Sequence, residues 1–464
     1  MNQPADAQPA LRSGGLAGSL VGQDLRRLRW DGEEVLNRLY LAVRDRTWAT
    51  LPGDAQVTLH DEDALEWTAR YRIGTGTLLV RASLRLHPDS LACTMSATAE
   101  QRVEYNRIGW CLLLPLSFAD SPAAFVDPLG ATHPTRLPRL VAPQPLGPAG
   151  PEPAIGPFRQ FSFQGVQAGY RIAASGELFE LEDQRNWTDA SFKIYSTPLA
   201  TPRPLTLEAG ATLRQEVRLT REPVPTGPAG QDVPHAAAPP PAPPGHAPES
   251  QRAVTPPRLS AVLSTATSED LDALRSLGID LVRVETPTTA AALDRADGLL
   301  RQAKDAGLGT ELTLWCDDET PWPAVAELVD RYRPELVLAL HAGAGSGELT
   351  ESTSAELIDR AASALAGTPV GGGTPFNLCE LQRHPMSHLP TLTCAFVPTV
   401  HATDELSVLE TPAALPDLVR TLRVRAPHAG LALGPFQGRE RGPGEPVPSI
   451  AGLPAEWLRH SLAE

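Results

Sequence analysis

Lysine is nearly missing from this chain: of 40 basic residues only Lys193 and Lys304 are lysines, and asparagine occurs only at positions 2, 37, 106, 186 and 377. Where such disfavoured residue types persist, a specific role gains weight. Positive charge is also scarce as a pattern. No block of Lys or Arg forms a stripe able to neutralise phosphates, and 55 acidic residues against 40 basic ones leave a net charge of −15. Nucleic acid and anionic membranes are therefore not expected partners. Long apolar runs are missing too. No segment reaches the roughly 18 consecutive apolar residues of a membrane span. The first twenty residues, MNQPADAQPALRSGGLAGSL, lack the basic start and apolar run of a secretory leader, so a cytoplasmic protein is expected. The cysteines, Cys93, Cys111, Cys316, Cys379 and Cys394, are odd in number, widely spaced and without a CxxC pair. That excludes a disulfide framework or zinc knuckle and reads as reduced, mostly buried thiols. No G-x-S-x-G elbow occurs, which disfavours a serine hydrolase of the α/β type.

Proline, by contrast, is abundant: 47 in 464 residues is about twice the usual share. A chain of this length suits two or three domains. Residues 1–21 read as a disordered lead-in. From Gly22 to Arg221 the pattern alternates apolar and polar positions at Gln56–His60, Glu66–Ile73, Thr77–Leu86, Ser90–Ala99, Trp110–Pro115, Leu178–Leu181 and Thr212–Thr220, with no convincing long amphipathic helix. Such repetition predicts an antiparallel β-sandwich over 22–221, with Arg136 to Pro157 a proline- and glycine-rich loop. Residues 222–257 contain AAAPPPAPPGHAPES. Repeated prolines lack the backbone donors of a helix or inner strand, so this is a linker.

After Arg258 short apolar strands alternate with helical segments. Leu259–Leu263 precedes a helix from Ser268 to Leu277 that Ser268 can cap. Leu281–Val284 precedes Ala290–Ala306, Leu312–Trp315 precedes Ala324–Tyr332, and Leu336–Leu340 precedes Ala355–Leu365. Val370 opens a loop-rich fifth unit. Leu392–Val397 then precedes Ala414–Arg423, and Leu431–Leu433 precedes a short helix near Pro454–Leu462. This is the texture of a TIM-barrel-like (β/α) domain over 258–464, with about seven units against the eight of a closed barrel.

Chemistry in such a barrel is built on the C-terminal strand ends. There the sequence offers Glu285 after strand two, Asp317 and Asp318 after strand three, His341 after strand four, Glu380 with Arg383 in unit five, and His401, Asp404 and Glu410 after strand six. Carboxylates and imidazoles gathered in this way can hold a general base against water or bind a divalent metal. Taken singly, each of these residues is as readily a loop cap or solvated surface. His384 and His388 have helical metal-pair spacing, but Pro385 between them breaks the helix, so no metal site is assigned. Gly371-Gly372-Gly373 matches neither a P-loop nor a dinucleotide fingerprint, so no cofactor is expected, a divalent metal remaining open. The densest polar stretch is FELEDQRNWTDASFKIYSTPL, Phe179 to Leu199, which includes Arg185, Asn186, Asp189 and Lys193. Exposed ion pairs contribute only about 0–1 kcal/mol each, so a free sandwich edge gains little from such a cluster. A binding role and a docking role, with Trp187 and Phe192 as packing anchors, both fit it.

This long run resembles the D-apionate lactonase family. Similar too are Val43-Arg44-Asp45-Arg46 with Trp48, Tyr105-Asn106-Arg107 with Gly109, the segment Gly371 to Arg383, Val400-His401-Ala402, and Val408-Leu409-Glu410-Thr411. The resemblance covers most of 22–221 and 258–440. It implies a hydrolase of a sugar-acid lactone in apiose breakdown, built from a sandwich-like domain, a barrel and a C-terminal β-domain. The sequence ends at Glu464, before an eighth βα unit or a third domain, so an incomplete barrel is expected.

The expected ligand is a small polyhydroxylated lactone; the oligomeric state is left open. Glu380 and His401 are the first candidates for acid–base work, with Glu285 and Glu410 as alternatives. Arg185, Asn186, Asp189, Lys193, His341 and Arg383 are candidate substrate contacts, the cationic ones also as donors to tetrahedral charge. Two other readings stay open: a glycoside hydrolase using two strand-end carboxylates, and a degenerate, non-catalytic carbohydrate-binding or scaffold protein.

Overall fold

The computed structural model describes residues 10–148, 150–222, 257–263, 267–343 and 352–437. By its contacts the chain divides into two units, Met1–Arg185 with Ala190–His235, and Asn186–Asp189 with Ala236–Glu464. The expected linker lies almost wholly outside the described residues, as does the short helix expected near Pro454–Leu462.

In the first unit, alternation produces what it should: two nine-stranded antiparallel sheets whose apolar faces share one core. One sheet runs Ala10–Ser13, Leu16–Val21, Asp24–Trp30, Glu33–Asp45, Val103–Pro115, Ser191–Tyr195, Phe179–Asp183, Ile155–Phe158, with Leu205–Leu207 also paired to Val103–Pro115. The other contains the expected hairpins Asp54–His60, Ala64–Ile73, Gly76–His87 and Ser90–Ala99, continued by Thr212–Glu222 and Gly169–Ser175. Leu39, Ile108, Trp110 and Leu112 of the first sheet meet Trp67, Val80, Leu84 and Val217 of the second. Trp67 and Trp110 pack edge to face with ring centroids 5.9 Å apart, a geometry that suits the aromatic quadrupole.

Two expectations need correction here. Residues 10–21, read as part of a disordered lead-in, form two strands whose Leu11, Leu16 and Leu20 enter the core; their small intervening residues hid a period-two pattern. Within the Arg136 to Pro157 loop, Leu146–Gly147 pairs with Gly150–Pro151, and Ile155–Phe158 joins the first sheet. Backbone groups there find ladder partners despite the prolines.

The second unit holds a seven-stranded parallel sheet in sequence order: Ser260–Leu263, Leu281–Pro287, Gly309–Cys316, Leu336–His341, Val370–Gly373, Thr391–Thr393 and Gly430–Leu431. Helices Ser268–Ser276, Ala290–Asp305, Trp322–Tyr332, Ala355–Ala364, Leu378–Gln382, Glu405–Glu410 and Leu415–Arg425 lie between or after the strands. Each strand pairs in parallel with the next, which the intervening helical segment makes possible by returning the chain to the start of the sheet. Strand residues such as Val282, Val284, Leu312, Leu314, Val337 and Leu338 are buried. The first helix is capped by Thr267, which accepts from the Asp270 amide while Asp270 reaches back to the Thr267 amide. Thr267, not Ser268, is thus the cap: only that register also provides a side chain three residues on to complete the capping box.

Candidate active site

The strand ends of the second unit carry the acid–base candidates, and the structure sorts them. Glu285 does not end its strand. It lies two residues before Pro287, opposite Thr313 in the ladder, on the same face as Arg283 by the period of two. Arg283 donates from Nε to Glu311 at 3.0 Å and reaches the Ala432 carbonyl at 3.5 Å. His341 closes its strand and accepts at Nε2 from the Ser354 amide at 3.2 Å, so its ring helps to start the following helix. Glu410 is the last residue of helix Glu405–Glu410 and is half-buried.

Glu380 sits in the one-turn-plus helix Leu378–Gln382, 6% exposed, with Arg383 as the residue that ends it. The Glu380 charge is felt by Cys394, just past strand Thr391–Thr393, whose thiol is pushed up to about 12, chiefly by burial and then by Glu380. Glu380 is therefore near the end of strand six. Cys316 is likewise raised to about 12 by burial. Neither thiol is a thiolate nucleophile at neutral pH.

The polar run of the first domain supplies part of this same unit. Asn186–Asp189 belongs to it by contact, and three of its residues are tied to barrel segments. Asn186 Oδ1 accepts from Gln382 Nε2 at 2.8 Å, Thr188 Oγ1 donates to the Val397 carbonyl at 2.7 Å, and Asp189 Oδ2 lies 2.5 Å from His401 Nδ1. The Trp187 and His401 rings stand nearly perpendicular, 6.3 Å between centroids. Thr188 adopts φ +72°, a left-handed conformation costly for a β-branched residue; its hydroxyl bond to Val397 anchors the turn. His401 and Asp189 side chains are 15% and 16% exposed, so the pair is partly shielded while water can reach it.

Two of the proposed substrate contacts go elsewhere. Arg185 is fully buried in the first unit, bonded through Nε and Nη2 to the two Asp183 oxygens at 2.9 and 2.7 Å, and donating to the carbonyls of Pro138, Arg139 and Leu140. Its donors are engaged in holding the loop 138–140, so it is a structural residue and not a substrate contact. Lys193 lies in strand Ser191–Tyr195 of the same unit, 1% exposed. Burial, then Arg44 and Arg107, pull its ammonium down to about 8.

Sequence reasoning missed Gln382 and the turn at Thr188. Gln382 falls inside the quoted segment Gly371 to Arg383 but carries no charge to attract notice; a positive φ at threonine leaves no mark in sequence. Among the described residues no group of three or more His, Cys, Asp or Glu side chains is placed to hold a metal ion, and His388 Nε2 is 2.7 Å from the Thr353 carbonyl. No helix among the described residues is long and apolar enough to cross a membrane.

Residues 1–224 match the family model described as D-apionate lactonase, N-terminal domain, and residues 259–442 the one described as D-apionate lactonase, TIM barrel domain. A D-apionate lactonase of Brucella anthropi is 28% identical over 475 residues, spanning 93% of this chain and 73% of that protein. Among solved structures, a putative aldose 1-epimerase from Escherichia coli K12 aligns at 15% identity and TM-score 0.33, covering 46% of this chain and 98% of its own. An alpha-galactosidase from Geobacillus stearothermophilus aligns at 12% identity and TM-score 0.30, covering 94% and 73%.

Proposed function

Because the chain belongs to the D-apionate lactonase family, we propose that it opens a small sugar-acid lactone, of the D-apionolactone type, by attack of an activated water. The observation that carries the mechanism is the Asp189–His401 pair at 2.5 Å. A carboxylate on Nδ1 holds the imidazole proton there and makes Nε2 the basic nitrogen; it also stabilises the imidazolium once formed. In this reading Nε2 takes a proton from water as the water oxygen bonds to the lactone carbonyl carbon. Negative charge collects on the carbonyl oxygen. Collapse of the tetrahedral adduct breaks the ring C–O bond, the imidazolium returns its proton to the leaving alkoxide, and the new carboxylic acid ionises to a carboxylate. Glu380 is the second acid–base candidate, and Arg383 a candidate donor to the tetrahedral oxygen. Asn186 and His341 remain candidates for orienting the lactone hydroxyls.

The test is hydrolysis of a panel of aldonolactones by the full chain, with and without chelator, alongside His401→Ala and Asp189→Asn. Positioned general bases contribute about 10²–10⁴-fold, so both variants should lose kcat on that scale at unchanged melting temperature. Undiminished turnover in His401→Ala removes this mechanism; no turnover of any lactone by the unmodified chain removes the function.

A further inference from the structure

In the first unit, the face of the sheet turned away from the apolar core is not a solvated surface. Strand Ser191–Tyr195 sends Phe192 and Ile194 into the core and so places Lys193 and Tyr195 on the opposite face. The ladders extend that face across four strands. Lys193 stands between Leu113 and Glu182; Tyr195 stands between Cys111 and Glu180; Tyr40 opposes Cys111, and Arg44 opposes Arg107. Like charges directly opposite each other in a ladder are destabilising, yet here Arg44 and Arg107 are joined by a third cation.

Two of these cations, Lys193 and Arg107, are buried, and Arg44 is half-buried. Lys193 is 1% and Arg107 3% exposed. The Arg107 guanidinium lies 3.8 Å over the Tyr195 ring and 5.5 Å from the Trp48 ring, and its Nε has no hydrogen-bond acceptor. The Lys193 ammonium is 5.6 Å from the Tyr195 centroid. Among the described residues, no carboxylate forms an ion pair with Lys193, Arg107 or Arg44. The two acids of this face have other engagements: Glu180 accepts from the Tyr195 hydroxyl and the Leu199 amide, and Glu182 accepts from Gln144. Buried cations without paired acceptors are costly, and a folded chain keeps them at that cost where an anion supplies the missing acceptors. Trp48 is held at φ +69° and 39% exposed, with Arg107 and Arg203 against its ring; it offers an apolar platform of the kind that the C–H faces of a polyol pack against.

We propose that Arg44, Arg107 and Lys193 form a binding site for the carboxylate of a sugar acid, with Trp48 and Tyr195 flanking its carbon chain. The site rests on the first unit alone and not on the assignment of His401. Arginine forks match the two carboxylate oxygens, and the ammonium supplies a third point of charge.

Isothermal titration of the full-length His401→Ala chain with gluconate, neutral glucitol and inorganic phosphate tests it. Gluconate should bind, glucitol should not, and Lys193→Met and Arg44→Gln should each weaken gluconate at least tenfold without lowering the melting temperature. A further readout needs no variant in the site. With its ammonium pulled down to about 8, chiefly by burial, Lys193 is mostly neutral at pH 9. Arg44, Arg107, Cys111, Glu182 and Tyr195 face it and stay in place, so a bound anion raises its proton affinity. Binding at pH 9 should therefore take up protons, seen as a dependence of the heat on buffer ionisation enthalpy. Equal binding of glucitol, binding of phosphate without gluconate, or gluconate binding unchanged in both variants would overturn the site. Failure of lactone hydrolysis alone leaves it standing.

Discussion

Strand Phe179–Asp183 of the first unit and strand Leu336–His341 of the second are buried along almost their whole length, yet one reads FELED and the other LVLALH. The second is buried because both its faces are apolar, as in a parallel strand covered on each side. The first is buried with three carboxylates on it, one facing Arg185 and the others sharing a face with Tyr195 and Lys193. Complete burial thus has two physical origins in this molecule. In the parallel sheet it follows from hydrophobicity; in the antiparallel sheet it depends on each charge finding a counter-charge, a carbonyl or, as proposed above, a ligand.

The contrast is sharpest at Arg185. Arg185→Leu leaves Asp183 buried without its bidentate partner and frees three carbonyls, which should cost about 3–5 kcal/mol in denaturant unfolding of the full chain. The double variant Arg185→Leu, Asp183→Leu should recover a large part of that loss, since replacing a buried pair by apolar groups is often close to neutral. If the double variant is no better than the single one, burial here does not hinge on charge pairing.

A smaller effect, opposite in sign, is expected at Lys193. Its folded pKa, about 8, lies below the ordinary 10.5, so below pH 8 the folded protein bears the cost of a buried charge. That cost falls as the pH rises from 8 towards 10.5. In the absence of ligand, Lys193→Met should be more stable than the parent below pH 8, by on the order of 3 kcal/mol, with the advantage shrinking above it. A stability difference that does not vary with pH would show that Lys193 is not a buried cation. Smallest is the cap of the second unit's first helix: Thr267→Ala should cost about 1 kcal/mol, measured as a small fall in unfolding midpoint, whereas Ser268→Ala should cost less.

Much of this was legible beforehand. The hairpins from Asp54 to Ala99 and the units from Leu281 to Ala364 follow from periods of two and of 3.6, because one solvated face per element leaves a regular trace. Residues 10–21 escaped because glycine, serine and alanine dilute their alternation. Glu380 and His401 were legible as strand-end groups in unit five and after strand six. Arg185 was misread as a substrate contact because its partners, three backbone carbonyls about 45 residues away in sequence, cannot be seen in any pattern of side chains.

By itself the sequence determined the hairpins from Asp54 to Ala99, the longer βα units, that the first unit is antiparallel and the second parallel, and which family the chain resembles. Those properties depend on local period, on turn and cap residues, and on composition over short windows. The tertiary structure alone decided that Asp189 meets His401 across 212 positions and that Arg185 turns inward to a loop. It also set Lys193 beside two arginines. Such pairings arise when strands align in register and loops close, and the identity of a charge says nothing about which distant group the fold will bring to it.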